Sequence, residues 1–207
     1  MPPEINVGVR RKRHDLAAWT ATFGPNLKTA FALLPNHSAP ATLAITLLHE
    51  WEAGTRPAPT PAYLAARPQA LALLAEFSHS LLLNAPINVD AEDVRSVLRR
   101  ASTIGLGTAV AHGPGRAGRA AALVMAAVQA QQLGPAPAGR AVSSLLCIAS
   151  GSDCDLAMDE LTEITETIQT AFGQDMEMIF GHDIVPALSD SALQVWLLVG
   201  YGAGAPC

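Results

Sequence analysis

Apolar positions recur at helical spacing along residues 40–53, where Leu43, Leu47 and Trp51 share one face and Gly54 closes the segment. A second helical stripe, Leu73, Phe77 and Leu81 widened by Leu74, predicts a long helix running to about Leu83, with Pro68 in its first turns either starting or kinking it. Between the two lies Thr55-Arg56-Pro57-Ala58-Pro59-Thr60-Pro61, a loop or linker because three prolines in seven residues cannot sustain a helix. Further on, the pattern predicts a helix over 91–101, a strand over 103–111, an Ala-rich helix up to Leu133 and a strand over 142–149. A helix capped by Asp155 follows, with Leu161, Ile164, Ile168 and Phe172 on one face and Gly173 at its end. Strands over 176–185 and 193–199 flank Pro186-Ala187-Leu188-Ser189-Asp190, where an antiparallel pair would be natural. At the N-terminus, residues 4–9 read as a short strand, Asp15 caps a short helix through Phe23, and Thr29 to Leu34 is a strand ended by Pro35-Asn36.

Strand, helix, strand, helix, strand, strand is the order of helices gathered on one face of a mixed sheet. The expected fold class is therefore α/β, with a two-layer sandwich over residues 102–207. A long central helix and an acidic loop-helix over 61–101 precede it, after a divergent strand-helix-strand-helix segment over 1–60. Hydrophobic residues make up 50% of the 207 and charged residues only 15%, which suits a sizeable core rather than disorder. The longest apolar stretch, 71–83, is broken by Glu76 and His79 and is too short for a bilayer, and no apolar leader opens the chain. The expectation is a cytoplasmic protein without direct membrane contact.

Charge changes the picture more than composition does. Residues 141–207 hold ten acids and no Lys or Arg, while residues 1–140 hold all 13 basic residues and eight acids. An acidic end of this kind separates copies of the chain or steers a basic partner. Arg10-Arg11-Lys12-Arg13 is the one basic run, and without interleaved aromatics it reads as a solvated segment, so no nucleic-acid partner is expected. Cys147, Cys154 and Cys207 fit neither a disulfide framework nor a Cys-x-x-Cys metal site, and Cys147 reads as core. The six histidines lack His-x-x-x-His spacing, so no metal site is expected. Gly105-Leu106-Gly107 and Gly113-Pro114-Gly115 complete no phosphate-binding pattern and read as tight packing and turn. The helix bearing Asp159, Glu160, Glu163 and Glu166 reads as a solvated acidic face.

The candidate chemistry lies in Ile87-Asn88-Val89-Asp90-Ala91-Glu92-Asp93-Val94-Arg95. Asn88, Asp90 and Asp93 place an amide and two carboxylates at a solvent-facing corner between two helices. Such a corner can hold water or a cation near a phosphate. The same spacing suits Asp90 as a helix N-cap with Asp93 as its capping-box partner. Both readings stand on spacing alone.

Several segments in order resemble the C-terminal part of FtsZ, the bacterial tubulin-like division GTPase. They are Asn88-Val89-Asp90 through Asp93-Val94-Arg95, Gly105-Leu106-Gly107-Thr108 through His112-Gly113, and Arg116-Ala117, then Val142 to Gly151, Asp155-Leu156, Ile179-Phe180-Gly181 and Val199-Gly200-Tyr201-Gly202. The resemblance covers residues 62–202. It extends more weakly to Val7-Gly8-Val9-Arg10-Arg11 and Ala30 to Asn36, with the helix at 40–53 as an insertion. By that resemblance Asp90 and Asp93 would polarise the attacking water and Asn88 would orient it, in trans, in the nucleotide pocket of a neighbouring subunit. The family's Gly-Gly-Gly-Thr-Gly-Thr-Gly phosphate loop has no counterpart here, and Arg67-Pro68-Gln69 offers no acid for guanine. The family's flexible tail has none beyond Cys207. The resemblance thus implies a chain that binds no nucleotide alone and meets GTP and Mg only through a full-length FtsZ or FtsZ-like partner. Its role would be to bind or cap FtsZ filaments. The alternatives are a catalytic half-site hydrolysing GTP only with a partner nucleotide domain, and a remnant without function.

Overall fold

The computed structural model describes residues 39–80, 89–135, 139–152, 154–186, 188–189 and 191–202. The elements expected over 4–9, 15–23 and 29–34 lie outside these residues, as do Leu81, Asn88 and Cys207. Three helices come first: α1 (Ala39–Thr55), α2 (Pro61–Ser80) and α3 (Ala91–Arg99). Then follow β1 (Thr103–His112), α4 (Arg116–Ala130), β2 (Gln132–Leu133), β3 (Arg140–Ser150), α5 (Met158–Phe172), β4 (Glu177–Ile184) and β5 (Ala192–Gly202). The expected helices and strands of the C-terminal part are present. The Ala-rich helix stops at Ala130, and Gln132–Leu133 adds a short edge strand instead of a last helical turn.

The strands form one mixed sheet in the order β2-β1-β5-β3-β4. β4 and β5 do not pair with each other, which corrects the antiparallel pair expected from their adjacency. Instead β4 runs parallel to β3, and β5 inserts antiparallel between β1 and β3. Burial explains the exchange. Leu193, Val195, Leu197 and Val199 are buried on one face of β5 and Leu198 on the other, so this strand is apolar on both sides and takes the centre. Strand β4 carries exposed Glu177, Phe180 and Ile184 and a half-buried Asp183, which suits an edge.

α4 and α5 cover one face of the sheet, giving the two layers expected over 102–202. Ala120, Ala121, Val124 and Val128 of α4 pack with Ile164 and Ile168 of α5 on Leu146, Ile148, Val195 and Leu197. The approach is close because β1 offers no side chain where α4 crosses it. A Cβ at Gly107 would stand 2.7 Å from the Val124 carbonyl oxygen and 2.9 Å from the Val128 nitrogen. The opposite face is covered by α1–α3: Leu47, Leu48 and Trp51, Leu74 and Phe77, and Val94 and Leu98 share one cluster with Ile104, Leu106, Leu145 and Leu198. The segment over 40–53 is thus a helix of the core. Pro68 lies inside α2 rather than at its start.

Cys147 is buried, as expected, and Cys154 is exposed. No helix among the described residues is long and apolar enough to cross a membrane.

Candidate functional site

The acidic corner is built by the start of α3. Asp90 has extended backbone (φ −125°, ψ 179°), and its Oδ1 accepts hydrogen bonds from the Glu92 and Asp93 backbone N–H groups at 2.7 and 3.1 Å. The Asp93 carboxylate accepts the Asp90 N–H at 2.9 Å, completing a reciprocal capping box. Val89 before the cap and Val94 in the second turn are both buried in the same cluster, a hydrophobic staple that fixes how the chain enters the helix. Three acids at a helix N-terminus also oppose the positive end of its dipole.

The cap spends only part of the carboxylate capacity. Asp90 Oδ2 and Asp93 Oδ1 accept no hydrogen bond from the described residues. Asp90 is exposed and Asp93 half-buried, so the corner faces outward with two oxygens unspent. Glu92, exposed between them, is engaged by Arg99 and at 3.5 Å by Arg95. The Arg99 hydrogen bond, with Arg95 behind it, holds the Glu92 carboxyl below its ordinary range. Arg95 also reaches across to Glu50 of α1 at 2.8 Å, and this bond raises its guanidinium pKa further. Geometrically the corner is a rigid, outward-facing pair of carboxylates on a helix clamped to α1. Asn88, the third residue of the expected set, lies outside the described residues.

Three other polar clusters appear that spacing did not single out. Glu52 of α1 is buried and accepts hydrogen bonds from Tyr63 Oη, Arg67 Nε and, at 2.9 Å, Arg67 Nη2. Burial first, then the Glu52 carboxylate, pushes the Tyr63 pKa upward. A signal existed: Tyr63, Arg67, Ala70, Leu71, Leu74 and Phe77 form one continuous inward stripe, so the periodicity itself places Arg67 inside. The second cluster centres on Arg116 at the start of α4, which is 3% exposed. It forks onto Glu160 of α5 at 2.8 and 2.9 Å and donates to the carbonyls of Cys154, Asp155 and Ala192. Glu160 therefore belongs to a structural clamp, while Asp159, Glu163 and Glu166 remain on the exposed acidic face. Asp155 does not cap α5 as the sequence suggested. Ala157 occupies that position, the Glu160 side chain takes its N–H, and Asp155 instead accepts the Leu156 N–H at 2.8 Å.

The third cluster joins Ser150, Asp155 and His182. These residue types invite a nucleophilic reading, which the geometry excludes. Ser150 is fully buried, and both its Oγ (3.0 Å) and Asp155 Oδ1 (3.5 Å) approach the same ring nitrogen, Nε2 of His182. A catalytic relay needs the nucleophile and the orienting carboxylate on opposite ring nitrogens. Burial lowers the His182 pKa, and the nearby Asp155 and Asp183 only partly oppose it.

No family model matches the sequence. Among solved structures, the empty dimer of FtsZ from M. jannaschii matches with a TM-score of 0.51 and 18% identity, over 69% of this chain and 40% of that chain. The GTPγS-form protofilament of TubZ from Bacillus thuringiensis serovar israelensis matches with a TM-score of 0.50 and 12% identity, over 67% of this chain and 36% of that one. The chain thus spans 40% or less of the length of these two proteins. At such identities the likeness concerns the fold, and it agrees with the mixed five-stranded sheet and its helical layers: the chain has an FtsZ/tubulin-like α/β fold.

Proposed function

We propose that this chain is an FtsZ-like interaction protein that docks its Asn88/Asp90/Asp93 corner onto the nucleotide face of a full-length FtsZ or FtsZ-like subunit and caps the end of its filament. The observation that carries this reading is the state of the corner: two carboxylates fixed by a capping box, Asp90 exposed and Asp93 half-buried, with Asp90 Oδ2 and Asp93 Oδ1 unspent among the described residues. A rigid acid pair adds little ordering cost on docking. It can position a water or a cation beside a partner-bound triphosphate. GTP and Mg would be met in the partner's pocket, since the 207 residues hold no glycine-rich run able to cradle phosphates. Support also comes from the company of the fold, one similar structure being a dimer and another a protofilament.

The test is GTP hydrolysis by the host's full-length FtsZ, titrated with this chain and with its Asp90→Asn/Asp93→Asn version. Asn serves as an N-cap about as well as Asp, so the double substitution removes charge while keeping the helix start. A dose-dependent change in hydrolysis that the double substitution abolishes is the expected result. No change at a several-fold excess of the chain overturns the reading, and so does an unaltered effect of the substituted protein.

A further inference from the structure

A relay of hydrogen bonds closes the end of β3. Ser150 Oγ stands 3.3 Å from Asp155 Oδ1 and 3.0 Å from Nε2 of His182 on β4. An ionised carboxylate only accepts, so the single Ser150 hydroxyl proton goes to Asp155, and the Ser150 oxygen accepts from the ring. Nε2 therefore carries the proton of the neutral imidazole. Nδ1 is left as the basic nitrogen, with no hydrogen-bond partner among the described residues. The relay ties together the end of β3, the edge strand β4 and the turn that leads into α5, where Asp155 Oδ1 also takes the Leu156 N–H at 2.8 Å.

A proton added at Nδ1 puts a cation into a seat built for a neutral ring. His182 is 8% exposed, and a buried cation loses its hydration. The charges around it do not restore what is lost. Asp155 lies 3.5 Å from Nε2, but its side chain is largely exposed and water screens its attraction. Asp183, next on the same strand, spends one oxygen on the Ile184 N–H at 2.8 Å. The sole charged residue of β3, Arg140, is at its opposite end. Arg116 of α4, which holds the Cys154 and Asp155 carbonyls of the same turn, is paired with Glu160 of α5. Burial thus outweighs Asp155 and Asp183 and keeps the ring below its ordinary pKa.

We propose that His182 is the bolt of a proton-operated latch: neutral, it ties the Asp155 turn to the end of β3; protonated, it leaves its seat for water and frees that turn. The latch uses no residue of the Asp90/Asp93 corner and does not depend on filament docking. Because the fold favours the neutral ring, the stability it contributes is whole above the unfolded value of about 6.5 and is lost as the pH falls through the folded one. Ring and backbone NMR of the full chain between about pH 7.5 and 5, above the ordinary carboxylate range, reads the latch directly. The Nε2–H tautomer is expected at the upper end, with the ring titrating below about 6.5 and the Leu156 N–H shifting at the same midpoint. Urea unfolding of His182→Gln, whose amide still donates to Ser150 but takes no proton, reads the consequence. Over this range the folding constant of the parent should fall about three-fold or more relative to that of the variant. A ring that titrates at or above its ordinary value overturns the proposal, as does an Nδ1–H tautomer or a Leu156 N–H that does not follow the ring. A folded His182→Gln that loses stability in acid as steeply as the parent overturns it too, and if that variant does not fold, the ring titration decides alone.

Discussion

Asp90 does two things at once, and substitution can separate them. Its Oδ1 satisfies two of the orphan N–H groups at the start of α3. Replacing it with Ala leaves both unsatisfied, and the chain should lose about 1 kcal/mol in urea unfolding, the ordinary worth of an N-cap. Asp90→Asn should hold the midpoint nearly unchanged, since the amide oxygen still accepts. If Asp90→Ala left the midpoint untouched, the capping geometry would contribute nothing to stability. The acidic corner was legible in the spacing Asp90-x-x-Asp93, which allowed both a cap and a partner-facing site. What spacing does not encode is the direction of the second oxygen of each carboxylate, because that depends on which oxygen the backbone takes. At the same scale, Gly105 and Gly107 were readable as tight-packing positions. The 2.7 Å clash that a Cβ at Gly107 would make is the reason α4 can lie so close to β1.

Between elements, α1 and α2 are joined by a buried ion pair whose side chains are only 7% and 10% exposed, Glu52 and Arg67. Taking out one partner strands the other charge in a low-dielectric site, so Arg67→Met should cost about 3–5 kcal/mol. The double change Glu52→Leu/Arg67→Met should recover most of that, because an apolar pair of similar volume avoids the desolvation penalty. Chemical denaturation of the two singles and the double reads the cycle. A single Arg67→Met variant as stable as the parent would show that Glu52 is not stranded by its loss. Helix existence was legible here from the 3.6-residue period, but the pairing of strands was not. β4 and β5 are neighbours in sequence and both apolar in pattern, and adjacency favours pairing them. The choice was made by tertiary burial: β5 is apolar on both faces and moves to the centre, which leaves β4 at the edge.

For the whole molecule, the sheet is the shared wall of two apolar clusters, and each cluster needs its own helical layer. α4 and α5 supply one. The other is completed only when α1 joins α2 and α3, through Leu47, Leu48 and Trp51. The resemblance made the segment over 40–53 an insertion relative to the family pattern, and pattern alone cannot tell a helix that closes a core from one that decorates it. Shortening the chain to begin at residue 57 would uncover the α2 stripe of Leu71, Leu74 and Phe77. It would leave Arg67 buried without Glu52 and deprive the Ala101 carbonyl of the Trp51 N–H. Three defects in one cluster exceed what a domain with a typical margin of about 5–15 kcal/mol absorbs. The shortened chain should therefore show no cooperative urea transition, with near-UV circular dichroism flattened while far-UV signal persists, the signature of lost specific packing. A sharp transition at the parental midpoint would show instead that α2, α3 and the sheet close their face without α1. In that case α1 would be an addition to the core and not a condition for it.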